Sequence, residues 1–245
     1  MRKEENCIIL ELGDQLYRYD LGDHLPDNWS TDYYNPEYIT PQYGRKNAIG
    51  AFFFYNDCRA AKQTLAQAIH DQTNKGHKYD LGTITYCEVT DEIRLLDLQT
   101  GLYQCSNIIS VLLELDIDII SDRFYNYPFK QSYSILANAV DNLYSEKLNT
   151  RLEAAREINQ FFKQYPPLLG QSLTDFGNGE PFKEMLQSKN YEGYVFMENL
   201  ISDTFCLFNS NKITSPTHKI VCVESDKELQ ELIKAIGINS NKSDM

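Results

Sequence analysis

Gly44, Arg45, Lys46, Asn47 and Gly50 stand directly ahead of the aromatic run Phe52-Phe53-Phe54-Tyr55. An acid-poor stretch with a helical pattern follows, from Asn56 to Gln72. A polar, glycine-flanked loop lets backbone approach a ligand closely. Placed before an aromatic strand and a helix, it suits a pocket that holds a nucleotide against a strand end. The carboxylate that catalysis would want beside such a pocket is missing from this stretch. Tyrosine is heavily used, 17 residues beside 12 Phe and one Trp, and Tyr17, Tyr19, Tyr33, Tyr34, Tyr38, Tyr43 and Tyr55 come early. A flat ring with a polar tip suits a half-buried groove, and equally a Tyr-rich β-surface. Other chemistry is weakly signalled. His24, His70, His77 and His218 lack ligand spacing, and the run Glu114, Asp116, Asp118 reads as a solvated face. Gly177-Asn178-Gly179 lacks the strand and the Lys-Ser/Thr that a phosphate cradle needs.

The elements that must position these residues follow from periodicity. Ile8–Leu12 is apolar, Gln15–Tyr19 alternates as a strand, and 20–41, rich in Asp, Asn, Pro and Tyr, reads as loop. Ala51–Tyr55 is a strand. Asn56 or Asp57 caps a helix to about Gln72, with Ala60, Ala61, Leu65, Ala68 and Ile69 as its apolar stripe. Gly82–Val89 and Ile93–Leu98 are strands. Ser106–Leu115, Ser132–Tyr144 and Asn149–Tyr165 carry helical periodicity, the last capped by Asn149 or Thr150. Tyr191–Met197, Thr204–Phe208 and Lys219–Val223 are strands again. Ser225-Asp226-Lys227-Glu228 matches a capping box before a helix over Glu228–Ile236, and Asn239–Met245 reads as frayed. This order predicts one α+β domain with a split antiparallel or mixed sheet. Residues 1–103 and 189–245 supply its core, and 104–188 form a helical insertion.

The chain has 245 residues, 35 acidic against 23 basic, for a net charge of −12. That balance argues against nonspecific nucleic-acid binding, which needs clustered Lys and Arg. A small anionic ligand held by one or two arginines stays compatible with it. Six scattered cysteines form no metal-binding spacing, so no metal is expected and reduced cytoplasmic thiols are the default. Cys7–Leu10 is too short for a signal sequence, and no apolar run reaches membrane-spanning length, so no membrane partner is expected.

Leu16-Tyr17-Arg18-Tyr19, then Gly44-Arg45-Lys46-Asn47 with Gly50, then Phe54-Tyr55 leading into a helix, resembles the RES domain. That family supplies toxins of toxin–antitoxin pairs and belongs to the ADP-ribosyltransferase-like superfamily. Ile93-Arg94-Leu95-Leu96-Asp97-Leu98 resembles a strand of that superfamily. Tyr191-Glu192-Gly193-Tyr194 with Cys206-Leu207-Phe208 and Asn211-Lys212-Ile213 resembles its final hairpin. The likeness covers roughly 15–98 and 190–213. It implies a split sheet that clamps NAD as substrate, cleavage of the nicotinamide–ribose bond, and an antitoxin or target protein as partner. In those terms Arg18 holds the pyrophosphate through its fork of donors. The alternative is an Arg18 paired with Asp20 or Glu11 on an exposed face. Arg45 supports phosphate or ribose, or is a surface cation, and Asn47 supports it or organises the turn. Phe54 or Tyr55 stacks. The chain departs from the family on the helix after the aromatic strand. There Lys62-Gln63-Thr64-Leu65-Ala66-Gln67 carries no carboxylate, and Gln63 or Gln67 takes the place of the glutamate. The family's serine is also absent near Phe196–Asn199. Glu198, late in a strand, is then the candidate carboxylate; the alternative is a solvated hairpin glutamate. The loss of the helix glutamate equally fits a nucleotide- or protein-binding module without catalysis.

Overall fold

The computed structural model describes residues 1–4, 6–23, 25, 27–29, 49–98, 138–139, 141–164, 179–199 and 202–243, and these form an α+β protein. The strands are β1 (Arg2–Lys3), β2 (Cys7–Leu10), β3 (Gln15–Leu21), β4 (Phe52–Phe54), β5 (Leu81–Glu88), β6 (Ile93–Asp97), β7 (Gly193–Asn199), β8 (Ser202–Leu207) and β9 (Thr217–Cys222). The helices are α1 (Cys58–Asn74), α2 (Leu148–Gln164), α3 (Gly179–Ser188) and α4 (Lys227–Ser243). A mixed sheet of six strands runs β1-β2-β6-β7-β8-β4, and an antiparallel sheet of three runs β3-β5-β9. In the larger sheet β6 and β7 are parallel, while β1–β2, β2–β6 and β7–β8 are antiparallel. Two compact units interleave along the sequence. The first holds Met1–Leu10, Ser30–Phe52 and Ile93–Asn209; the second holds Glu11–Trp29, Phe53–Glu92 and Ser210–Met245. Among the described residues no helix is long and apolar enough to cross a membrane.

The second unit is organised by α1. Asp57 caps it from extended backbone, accepting the Arg59 N–H at 2.9 Å. Ala60, Ala61, Leu65 and Ile69 then lie on one stripe and are buried with Leu21, Ile84 and Val221 of the small sheet and Leu229 of α4. Tyr17 and Tyr19 lean on the same cluster. One face of the β3-β5-β9 sheet is thereby committed to the apolar core. In the first unit the fully buried Tyr194 is the hub. Its ring meets Phe182 edge-on at 5.0 Å and stacks on Phe196 at 5.6 Å.

Several boundaries differ from expectation, each for a local reason. β3 continues through Asp20 to Leu21, because Asp20 and Leu21 keep pairing with Thr83 and Gly82 of β5. α2 begins at Leu148, ahead of Asn149 and Thr150, since the Arg151 N–H already reaches the Lys147 carbonyl at 3.2 Å. Gly179 opens α3, and Pro181 fits its first turn, where no helical N–H is needed. At α4 the cap is Asp226, not Ser225: the Leu229 N–H donates to Asp226 Oδ1 at 3.0 Å. The Ser225 hydroxyl turns instead to the Cys222 carbonyl. α4 also continues past Ile236 to Ser243, so the first five of the residues expected to fray are helical. Ser106–Leu115 and most of Ser132–Tyr144 lie outside the described residues.

Candidate functional site

Alternation along β3 sends Tyr17, Tyr19 and Leu21 to the core face and Leu16, Arg18 and Asp20 to the other. Register carries the second set across the small sheet. Arg18 lies opposite Thr85, which lies opposite His218, and Asp20 lies opposite Thr83. The face therefore presents Arg18, Asp20, Thr83, Thr85 and His218 together. It is not a solvated surface. Thr83 and Thr85 are wholly buried, and the side chains of Arg18 and Asp20 are 20% and 5% exposed. Arg18 Nη2 donates to Asp20 Oδ1 at 3.2 Å. Thr85 Oγ1 and His218 Nδ1 are hydrogen-bonded at 2.9 Å, with the donor set by the imidazole tautomer. Thr83 Oγ1 donates to the Gly22 carbonyl at 2.9 Å.

Chemically, this is a guanidinium with its carboxylate partner, beside two hydroxyls and an imidazole. A buried charge is tolerated only when paired, and Asp20 supplies that pairing. Asp20, one of the two partners weighed for Arg18, does meet it, and the pair is largely buried rather than exposed. A planar fork so placed is suited to carboxylate or phosphate oxygens.

The remaining candidates fall as follows. Tyr55 bridges to Tyr17 by two backbone hydrogen bonds of 2.6 and 2.7 Å, and its buried ring stacks on Tyr19 with centroids 6.4 Å apart. Phe54 is fully buried, edge-on to Trp29 at 5.2 Å. Arg45 and Asn47 lie outside the described residues. On α1, Gln67 Nε2 donates to Asp71 Oδ1 at 2.8 Å, and Lys62 pairs with Asp226 and Glu228. Glu198 belongs to the first unit. Met197 pairs with Asp203 and Asn199 with Ser202, so Glu198 is the extra residue of a bulge in β7. Bulges recur beside functional sites. Asp97, from the strand that carries the superfamily resemblance, is buried and paired with Lys3 Nζ at 2.8 Å.

Sequence reasoning missed Thr83, Thr85 and His218. The threonines did carry a signal, because two polar residues at i and i+2 on a strand share one face. His218 carried none, being 133 residues from Thr85. Among the described residues no three His, Cys, Asp or Glu side chains group as metal ligands.

Cys87 lies on the same face, opposite Leu16. Burial pushes its thiol up to about 12, with the Arg18 charge pulling weakly the other way. Cys222 is the converse. The Ser225 hydroxyl and the backbone amides of Glu224 and Ser225 hold its thiol below the ordinary value. Thiolate is the reactive form, so at pH 8 Cys87 is expected to react with Ellman's reagent far more slowly than Cys222. Peptide mapping of the labelled protein checks this, and Cys87 should label only once the chain is unfolded.

Fold and face together define an α+β protein with a buried, arginine-centred polar face on a three-stranded sheet. Compared with protein-family models, with curated proteins and with solved structures, the chain finds no match in any of the three.

Proposed function

We propose that the protein is an NAD-consuming enzyme, an NAD glycohydrolase or ADP-ribosyltransferase of RES-like type on an ADP-ribosyltransferase-like sheet. The observation that carries this is Arg18 on a largely buried polar face with Asp20, Thr83, Thr85 and His218. A small sheet with one apolar face has no folding need for such a row on the other. Arg18 binds the pyrophosphate of NAD, with Arg45 and Asn47 in support. Phe54 or Tyr55 provides the aromatic wall. Glu198, at the β7 bulge, carries the negative charge that favours an oxocarbenium-like transition state. The protein acts in the cytoplasm as a toxin, and a neutralising antitoxin or a modified target protein is the partner to seek.

The test is nicotinamide release from NAD by the purified protein. Arg18→Ala is expected to lower kcat/KM by roughly 10²- to 10³-fold, and Glu198→Gln to lower kcat by a similar factor. Turnover indifferent to Glu198→Gln would remove that residue's role and keep the class. A second reading is a nucleotide- or protein-binding module without catalysis. It is favoured by α1, whose sole carboxylate is Asp71 and whose Lys62 is held by Asp226 and Glu228. NAD binding with no nicotinamide release would select it.

A further inference from the structure

The first unit places a lysine beside a glycine. Lys183, on α3, is half-buried, and its Nζ lies 3.6 Å from where a Cβ on Gly50 would sit. Gly50 has φ +59, in the left-handed region that favours glycine. Among the described residues, nothing but that ammonium comes within 4 Å of the place a Gly50 side chain would start. Lys183 faces the Phe208 ring at 5.7 Å, near the outer limit of a cation–π contact. Among the described residues no carboxylate lies within ion-pair range of it. In a chain of net charge −12, a half-buried cation with no carboxylate in range among the described residues is out of keeping with its surroundings. The sequence around Gly50 points the same way: between Glu37 and Asp57 there is no acidic residue, and Arg45 and Lys46 are both basic.

From this we infer that Lys183 is an anion-binding residue. Its ammonium, beside the Gly50 backbone, takes a phosphate group of a nucleotide ligand. The identity of that ligand rests on the NAD reading above, whereas the anion site rests on Gly50 and Lys183 alone. A lysine suits this role as a compact point charge with three donors. Glycine suits the neighbouring position because a side chain there would begin 3.6 Å from the ammonium and take up space a ligand could use. No covalent step is involved.

The experiment is calorimetric titration of the intact protein with ADP-ribose, inorganic pyrophosphate and adenosine. Wild type, Lys183→Met and Lys183→Arg are compared, with circular dichroism and Tm confirming that each variant folds. Lys183→Met is expected to weaken ADP-ribose and pyrophosphate binding by about 10- to 100-fold, the loss of one charge-assisted contact. Lys183→Arg should retain binding to within several-fold. Adenosine, which has no phosphate, should bind all three proteins alike. Equal ADP-ribose affinity in wild type and Lys183→Met would overturn the inference and leave the NAD reading standing. If wild type binds no ADP-ribose, the NAD reading falls and the pyrophosphate arm decides. Loss of pyrophosphate binding in Lys183→Met then supports the anion site, and unchanged or absent binding overturns it.

Discussion

Gly193→Ala is expected to destabilise the protein by at least about 3 kcal/mol, enough to remove much of the stability of an ordinary domain. Gly193 opens β7 and pairs with Leu95 of β6 on one side and Leu207 of β8 on the other. A Cβ there would stand 1.8 Å from the Cys206 carbonyl oxygen, 2.9 Å from its carbon and 2.8 Å from Leu95 Cδ2. A leucine methyl can rotate away; a carbonyl in the middle of a ladder cannot. Moving it pulls β8 from β7 where Tyr194 and Phe205 are fully buried. Overpacking a core side chain typically costs about 1–3 kcal/mol, and a clash with backbone belongs beyond that range. Urea unfolding followed by circular dichroism measures the effect. Gly237→Ala is the control. Among the described residues its Cβ meets the His70 ring alone, Nε2 at 3.7 Å and Cδ2 at 3.9 Å, and it lies within α4. There alanine should raise stability by about 0.5–1 kcal/mol through helix propensity. Equal midpoints for Gly193→Ala and wild type would mean that the β7–β8 register is wrong.

Gly193 also marks what the sequence makes legible. Its neighbours Tyr191 and Tyr194 announce a strand, and β7 is there. The need for glycine comes from the Cys206 carbonyl, which only the folded hairpin brings close. α1 was readable to its cap, because Asp57 and the stripe Ala60, Ala61, Leu65 and Ile69 are all local signals. Arg18 was readable as a candidate because an arginine between two tyrosines on a strand is conspicuous. The face around it was not. Asp20 looked like the start of a loop, and Thr85 and His218 meet only through β5–β9 pairing. The cap of α4 was misjudged for the same reason. Serine followed by glutamate three residues on fits a capping box, but Glu228 is engaged by a lysine 166 residues earlier. Short-range pattern gave the elements; the polar contacts that decide chemistry are long-range.

That lysine carries the second large effect. Lys62→Met is expected to lower stability at pH 7 by about 2–4 kcal/mol, somewhat less than the roughly 3–5 kcal/mol for removing one partner of a fully buried ion pair. Lys62 Nζ reaches Glu228 Oε2 at 2.7 Å and Asp226 Oδ2 at 3.1 Å, tying α1 to the first turn of α4. Lys62 and Asp226 are 11% and 18% exposed, so water screens them little, whereas Glu228 at 49% contributes less. Burial disfavours the charged Asp226, but the Leu229 N–H and Lys62 outweigh it and hold the carboxyl below its ordinary 3.8. Burial likewise disfavours the Lys62 ammonium, and its bonds to Glu228 and Asp226 raise it above 10.5 nonetheless. The signs follow. A depressed carboxyl contributes stability above its unfolded value and loses it as pH falls through the folded one. A raised ammonium contributes below its unfolded value and loses it as pH rises through the folded one. The gap between wild type and Lys62→Met should therefore be flat from about pH 5 to 10 and narrow at both ends. Urea unfolding at pH 3, 5, 7, 9 and 10.5 tests this. A gap as wide at pH 3 as at pH 7 would mean that Lys62 acts through its methylene stem alone. The result also bears on the catalysis proposed above. Lys62 stands in the helix stretch where the RES resemblance looks for a glutamate, yet its ammonium binds α4. Placing a carboxylate there by Lys62→Glu would set three acids together and unfasten α4. Any effect of that variant on NAD turnover must therefore be read beside its stability, and Gln63→Glu, which leaves the Lys62 contacts in place, is the cleaner way to restore a helix carboxylate.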